Sequence, residues 1–239
     1  MSNFESNAQP RASAILLASG GADSATVLAG IQHEQIFNAV HVLSFCYDQR
    51  HSVELTRLKE LLQCYACVES HTILTLPSDL FSGSTLVNKD MSVPKYHSIQ
   101  QLPEHGIPST YVPGRNTIFL SYAFSLAQTT NSGAIFVGVH DTDRAHYPDC
   151  RAEYIQAFAN LLKIASPDQE IKLYAPLLHL SKVEVIARGL SLGVDFAKTI
   201  SCYDPIDDLS CGSCQACLLR LDAFARNNSV DPVKYLARA

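Results

Sequence analysis

The chain has 239 residues, a formal net charge of −5, 47% hydrophobic and 17% charged residues. That length suits one sizeable domain with a small appendage, and the apolar content excludes a disordered chain. An acidic balance without a basic stripe speaks against a nucleic-acid footprint, and no stretch approaches a membrane span, so a small-molecule substrate is expected.

Residues 1–13 are polar, carry no apolar signal core and read as a flexible tail, which points to the cytoplasm. Eight cysteines in that compartment argue for metal or redox chemistry and against a disulfide framework. Residues 14–18 form an apolar run that reads as a first strand, and 24–32 as a first helix. Between them lies Ser19-Gly20-Gly21-Ala22-Asp23-Ser24. A strand ending in Ser-Gly-Gly and opening a helix points several N–H groups into one concavity and adds the helix dipole, which suits an anion. The Walker lysine and the Gly-x-Gly-x-x-Gly spacing are both absent. The loop resembles instead that of the N-type ATP pyrophosphatases (the PP-loop), which pass AMP to a carboxylate or carbonyl oxygen. The alternative is a glycine turn with Asp23 or Ser24 capping a helix.

Residues 39–45 read as a second strand, followed by a segment holding Arg50 and His51, a helix through Gln63, and a third strand over 71–76. Strand–helix alternation implies a parallel, doubly wound sheet whose ligand lies beyond the strands' carboxyl ends. Arg50 and His51 fall at that edge as nucleotide candidates, or else as a solvated helix start. Residues 77–115 form a long connection with five prolines, a length usually functional or mobile. Arg115 and Asn116 then open an apolar helix over 117–127, where they suit a phosphate or polar substrate; the alternative is a cap with a surface arginine. A fourth strand over 134–138 leads into a polar and aromatic cluster that includes Tyr147, Asp149 and Cys150, where a substrate pocket would sit. The next helix carries Tyr154, Phe158, Leu161 and Leu162 as its core face. A fifth strand spans 171–174. Ser181 then caps a helix whose first turn holds Lys182, a cation the dipole disfavours and a phosphate would favour.

Cys202, Cys211, Cys214 and Cys217 follow as Cys-x8-Cys-x2-Cys-x2-Cys. Four thiolates in so short a segment suit a closed, structural tetrahedral zinc site; an iron–sulfur cluster is the alternative, although nothing else in the chain calls for electron transfer. Cys64 and Cys67 form a further candidate redox pair.

Loop and cysteines together carry a specific resemblance. With Gln49-Arg50-His51, Tyr111 to Phe119, Tyr147 to Arg151, Leu180 to Glu184, Ser201 to Tyr203 and Cys211 to Arg220, the chain resembles the QueC family, the 7-cyano-7-deazaguanine synthases of the queuosine pathway, from Ile15 to Leu221. It departs at Cys46 (commonly Asp), Asp48 (Gly), Gly114 (Ala) and Ile200 (Trp).

The resemblance implies a Rossmann-like, adenine nucleotide alpha hydrolase-like α/β fold with a mostly parallel five-stranded sheet. It divides into a tail (1–13), a PP-loop domain (14–199) and a zinc-binding lobe (200–239). It further implies a homodimer that makes the nitrile 7-cyano-7-deazaguanine (preQ0) from 7-carboxy-7-deazaguanine, ammonia and ATP. That reaction is often written with ADP and phosphate, whereas the loop type argues for AMP and pyrophosphate. Nucleotide binding falls to Ala18, Ser19, Gly20, Gly21, Ala22, Asp23, Ser24, Ala25, Thr26, Val27 and Leu28, with Asp23 holding Mg²⁺ or positioning the phosphates. Arg115 and Lys182 stabilise phosphate charge. Arg50, His51, Asn116, Tyr147, Asp149 and Cys150 line the substrate pocket, and the four cysteines hold zinc. The rivals are tRNA thiolation, NAD-synthetase-like amidation, a non-catalytic nucleotide sensor, a zinc-bearing binding module, and modification of a protein in place of a base.

Overall fold

Successive side chains of a strand point to opposite faces, and the first strand shows the consequence. The computed structural model describes residues 11–51, 53–103, 105–140 and 147–236. Strand β1 (Arg11–Leu17) sends Ala14 and Leu16 to one face of the sheet and Ile15 and Leu17 to the other, all of them buried. Runs buried on both faces are what a parallel sheet covered by helices on both sides requires.

The sheet is completed by β2 (Phe37–Cys46), β3 (Val68–Thr75), β4 (Ala134–Phe136) and β5 (Lys172–Tyr174). All pairings are parallel, in the order β3-β2-β1-β4-β5. The direction of winding reverses between β1 and β4, which opens a crevice at their carboxyl ends. On the Leu16 face pack α1 (Ala22–Glu34), α2 (Val53–Leu62), α5 (Lys182–Ser191) and α6 (Gln215–Arg226). On the Ile15 face pack α3 (Arg115–Thr129) and α4 (Ala152–Ala165). The doubly wound sheet read from the sequence is the observed fold. Among the described residues no helix is long and apolar enough to cross a membrane.

Some expectations need correction. Strand β1 begins at Arg11 and not at Ala14, and residues 11–13 pair with β2 where a tail was expected; the rest of that tail, 1–10, lies outside the described residues. The core face of α4 is Ile155, Phe158 and Leu162, while Leu161 is 48% exposed, one step round the helix. The long connection is fastened along much of its length. Phe81, Leu86 and Val87 pack on the Ile15 face, and Val93 packs with the cysteine segment. Arg50 ties it down, its guanidinium donating to the carbonyls of Thr85, Asn88, Lys89 and Met91.

Candidate active site

The loop between β1 and α1 owes its shape to glycine at Gly20. Its φ is +91°, and a Cβ there would stand 2.4 Å from the Glu54 carbonyl oxygen, so both the backbone conformation and the close approach of α2 exclude a side chain. The Gly20 carbonyl in turn accepts from Ile200 N at 3.1 Å, which fastens the loop to the chain leading into the cysteines. Gly21 stands at the N-cap of α1 in extended conformation. Gly138, just past β4, lets that strand approach α1: a Cβ there would lie 3.2 Å from Ser24 N.

The crevice above this loop is a cleft of about 250 Å³. It gathers Ala18, Ser19, Gly21, Asp23 and Ser24 with His51, Arg115, Asn116, Tyr147, Cys150 and Lys182, residues spread over most of the chain. Asp23 is the electrostatic centre of its floor. Lys182 Nζ lies 2.5 Å from Asp23 Oδ1 and His140 Nε2 lies 3.7 Å from it. Burial works to raise the Asp23 pKa, but the Lys182 ammonium, with His140, outweighs it and holds the carboxyl below its ordinary value. Lys182 is delivered by the capping box of α5, in which Ser181 Oγ accepts from Glu184 N and Glu184 accepts from Ser181 N.

Arg115 opens α3, one wall of the cleft, with its Cζ 5.9 Å from the Phe119 ring centroid. Burial opposes its charge, and the Tyr47 phenol, Cys150 and Asp149 around it more than compensate. Its Nε is buried without a hydrogen-bond partner among the described residues. Above it Tyr147 Oη meets Thr110 Oγ1 at 3.0 Å and Tyr203 Oη at 3.4 Å. The cleft thus joins an anion-shaped floor to an aromatic, hydroxyl-bearing wall.

Other expected site residues are placed elsewhere. Ala25, Val27 and Leu28 belong to the core of the Leu16 face, and Thr26 Oγ1 donates to Ala22 O within α1. Gly20 and Ala22 shape the loop without lining the cleft. Arg50 serves the long connection described above. Asp149 accepts from Asn116 N at 3.3 Å through a carboxylate oxygen, and its carbonyl takes Asn116 Nδ2 at 3.2 Å, so it holds the start of α3. Of the polar cluster after β4, residues 141–146 lie outside the described residues. One cleft residue, Glu54, escaped the sequence reading because an acid in a helix's first turn is ordinary. It lies buried, takes Gln49 Nε2 at 3.3 Å, and stands 3.6 Å from His51 Nε2. Burial pushes the Glu54 carboxyl up to about 8 and the His51 imidazole down to about 4, the latter helped by Arg115.

Behind the cleft the ligand atoms of Cys202, Cys211, Cys214 and Cys217 all lie within 4.8 Å of one another, with Cys211 and Cys217 sulfurs 4.0 Å apart. Tetrahedral zinc with bonds of ~2.3 Å needs sulfurs roughly 3.8 Å apart, so the cage fits one ion. Backbone N–H groups of Asp204, Cys211, Cys214 and Tyr203 point at these sulfurs at 3.2–3.5 Å, as thiolates require of their surroundings.

Comparison with known proteins follows the same lines. A family model described as queuosine biosynthesis protein QueC matches residues 13–228. A Rickettsia bellii (strain OSU 85-389) protein named 7-cyano-7-deazaguanine synthase is 49% identical over 224 residues, covering 93% of this chain and 98% of that one. A Rickettsia felis (strain ATCC VR-1525 / URRWXCal2) protein of the same name is 49% identical over 225 residues, covering 93% and 99%. Among solved structures, the U34-tRNA thiolase NcsA from Methanococcus maripaludis, with its [4Fe-4S] cluster, superposes with a TM-score of 0.48 at 12% identity, over 90% of this chain and 65% of that one.

Proposed function

The chain belongs to the QueC family of queuosine biosynthesis proteins, and on that footing we propose that it converts 7-carboxy-7-deazaguanine and ammonia to 7-cyano-7-deazaguanine at the cost of ATP. The observation that carries the reading is the shared cleft: a phosphate-type loop with the Asp23–Lys182 pair at its floor, and the Tyr147–Thr110–Tyr203 wall facing it.

A carboxylate is a poor electrophile because its leaving group would be an oxide. Its oxygen therefore attacks the α-phosphorus of ATP, and pyrophosphate departs. Ammonia then adds to the acyl carbon and AMP leaves, giving the amide. A second ATP adenylates the amide oxygen and a second pyrophosphate departs; loss of that AMP and of both amide N–H protons gives the nitrile. The N–H groups of the Ser19–Ser24 loop and the N-terminus of α1 receive pyrophosphate. Lys182 and Arg115 stabilise charge that develops on the transferring phosphoryl group. His51, Asn116, Tyr147 and Cys150 surround the acceptor. Asp23, kept ionised by Lys182 and His140, is the carboxylate that would hold the magnesium accompanying ATP, which would screen the phosphates.

The cysteine cage takes one zinc ion per chain, a structural one because four protein ligands leave no open position. The active form is a cytoplasmic homodimer that acts on free small molecules. Incubation with 7-carboxy-7-deazaguanine, ammonium, ATP and Mg²⁺, followed by mass spectrometry, tests the reading: nitrile with AMP supports it, and AMP without nitrile would assign the loop to another acceptor. Sedimentation of active enzyme as a monomer would overturn the dimer.

A further inference from the structure

The cleft holds a second titratable group besides the Asp23 floor, and the nucleotide chemistry leaves it unused. His51 is 8% exposed, and its Nδ1 is buried with no hydrogen-bond partner among the described residues. Glu54, equally buried, lies one helical turn on, its Oε1 3.6 Å from His51 Nε2. That gap exceeds a hydrogen bond, so the two groups are neighbours that a small N–H donor can engage together. Both line the same cleft as the phosphate loop. The close approach of Gly20 to the Glu54 carbonyl fixes the start of α2 against that loop. The groups facing the pair are Tyr47 after β2, Arg115 on α3 and Tyr203 from the cysteine segment.

We propose that Glu54 and His51 form the ammonia site: Glu54 takes a proton from bound ammonium, and His51 accepts the proton released as the amine adds to the activated carboxyl. The proposal rests on the function given above and names where its nitrogen donor is handled. Ammonium prevails over ammonia at neutral pH, yet only the free lone pair attacks. In the first step an N–H bond of ammonium breaks and the O–H bond of Glu54 forms. The freed lone pair then makes the C–N bond, a second N–H proton passes to His51 Nδ1, and the C–O bond to AMP breaks. Both protons return to solvent when the product leaves. The Arg115 cation beside the pair disfavours a second cation there, which favours loss of a proton from the bound nitrogen. With its pKa raised to about 8, Glu54 comes close to ammonium in basicity, and the ionised fraction present at pH 7 is the form that takes the proton.

The test separates adenylation from amination. Exchange of labelled pyrophosphate into ATP, dependent on 7-carboxy-7-deazaguanine, reports adenylation without any nitrogen donor. Amination is then followed with ammonium and, separately, with hydroxylamine, which is uncharged at pH 7. In Glu54→Gln, exchange should stay within about threefold of the parent while ammonium-dependent turnover at pH 7 falls about 10²–10⁴-fold; in His51→Gln, where the residue also lines the acceptor pocket, turnover should fall about 10²-fold further than exchange. In Glu54→Gln, hydroxylamine should restore amination, and the ammonium deficit should shrink as rising pH supplies free ammonia; in His51→Gln neither should restore it. Equal losses with both donors at every pH in Glu54→Gln, or exchange falling as far as turnover in either variant, would overturn the proposal. Absence of exchange in the parent chain would overturn it together with the function on which it rests.

Discussion

Lys182 stands at the first position of α5, where the helix dipole disfavours a cation, and its nitrogen lies against Asp23. A pair of this kind lends the floor a positive group on a short tether without leaving either charge alone. Removing the Asp23 charge should therefore cost the reaction far more than the fold. Asp23→Asn is expected to release pyrophosphate at least about 10²-fold more slowly, the scale on which positioned electrostatic groups act, with a cooperative thermal transition retained. A normal rate of release would contradict the assignment of the loop. Burial at Glu54 and His51 also makes stability depend on pH. The Glu54 pKa is raised to about 8 in the fold, so the folded state binds the extra proton and its advantage fades as pH climbs through 8. The His51 pKa is lowered to about 4, so its contribution is present above the ordinary histidine range and lost as pH falls toward 4. Between pH 6.5 and 8 the Glu54 contribution to stability should fall by about 1–2 kcal/mol, at up to ~1.4 kcal/mol per pH unit. Urea midpoints at the two pH values should show this fall, and Glu54→Gln should abolish it. At this scale the place of Asp23 and Lys182 in the cleft was legible from the loop and the helix start that carry them, though not their pairing with each other. Glu54 and the true station of Arg50 were not, since each depends on segments the sequence does not place side by side.

Among the elements, α1 and α5 approach most closely where Gly189 faces Thr26 and Phe196. A Cβ on Gly189 would lie 2.4 Å from Phe196 Cζ and 2.7 Å from Thr26 Oγ1. Gly189→Ala should destabilise by about 1–3 kcal/mol through overpacking, which lowers Tm by several degrees in a chain of this size. An unchanged Tm would mean that the two helices can part without cost. The strand–helix order was readable because apolar runs and breakers are local signals. The start of β1 was misplaced because Arg11 and Ser13 are polar, and their pairing with β2 is a long-range fact. Leu161 was assigned to the core because helix periodicity resolves a face only to about one residue.

Across the whole molecule, the cysteine segment acts as a buttress for the phosphate loop. Ile200 binds the Gly20 carbonyl and Tyr203 reaches the cleft wall. Arg220, 1% exposed, makes a two-pronged pair with Asp231 and donates to Thr199 Oγ1 and the Phe196 carbonyl. Structural zinc in small peptides is worth an apparent ~10–16 kcal/mol at neutral pH, as much as the whole net stability of a typical domain. Metal analysis should find one zinc per chain, and chelation or Cys214→Ser should loosen the segment and abolish pyrophosphate release. Full activity in metal-free folded protein would contradict this. The cage itself was plain from cysteine spacing, whereas Asp231, the partner that fastens Arg220, carries no local signal.

The central claim is that both oxygens of the substrate carboxylate leave on adenylate. Substrate labelled with ¹⁸O at both carboxylate positions, turned over with ammonium, ATP and Mg²⁺ and read by mass spectrometry, tests it most directly. Two AMP molecules, each carrying one ¹⁸O, should form for every nitrile. Label in inorganic phosphate, or nitrile accompanied by unlabelled AMP, would contradict the account.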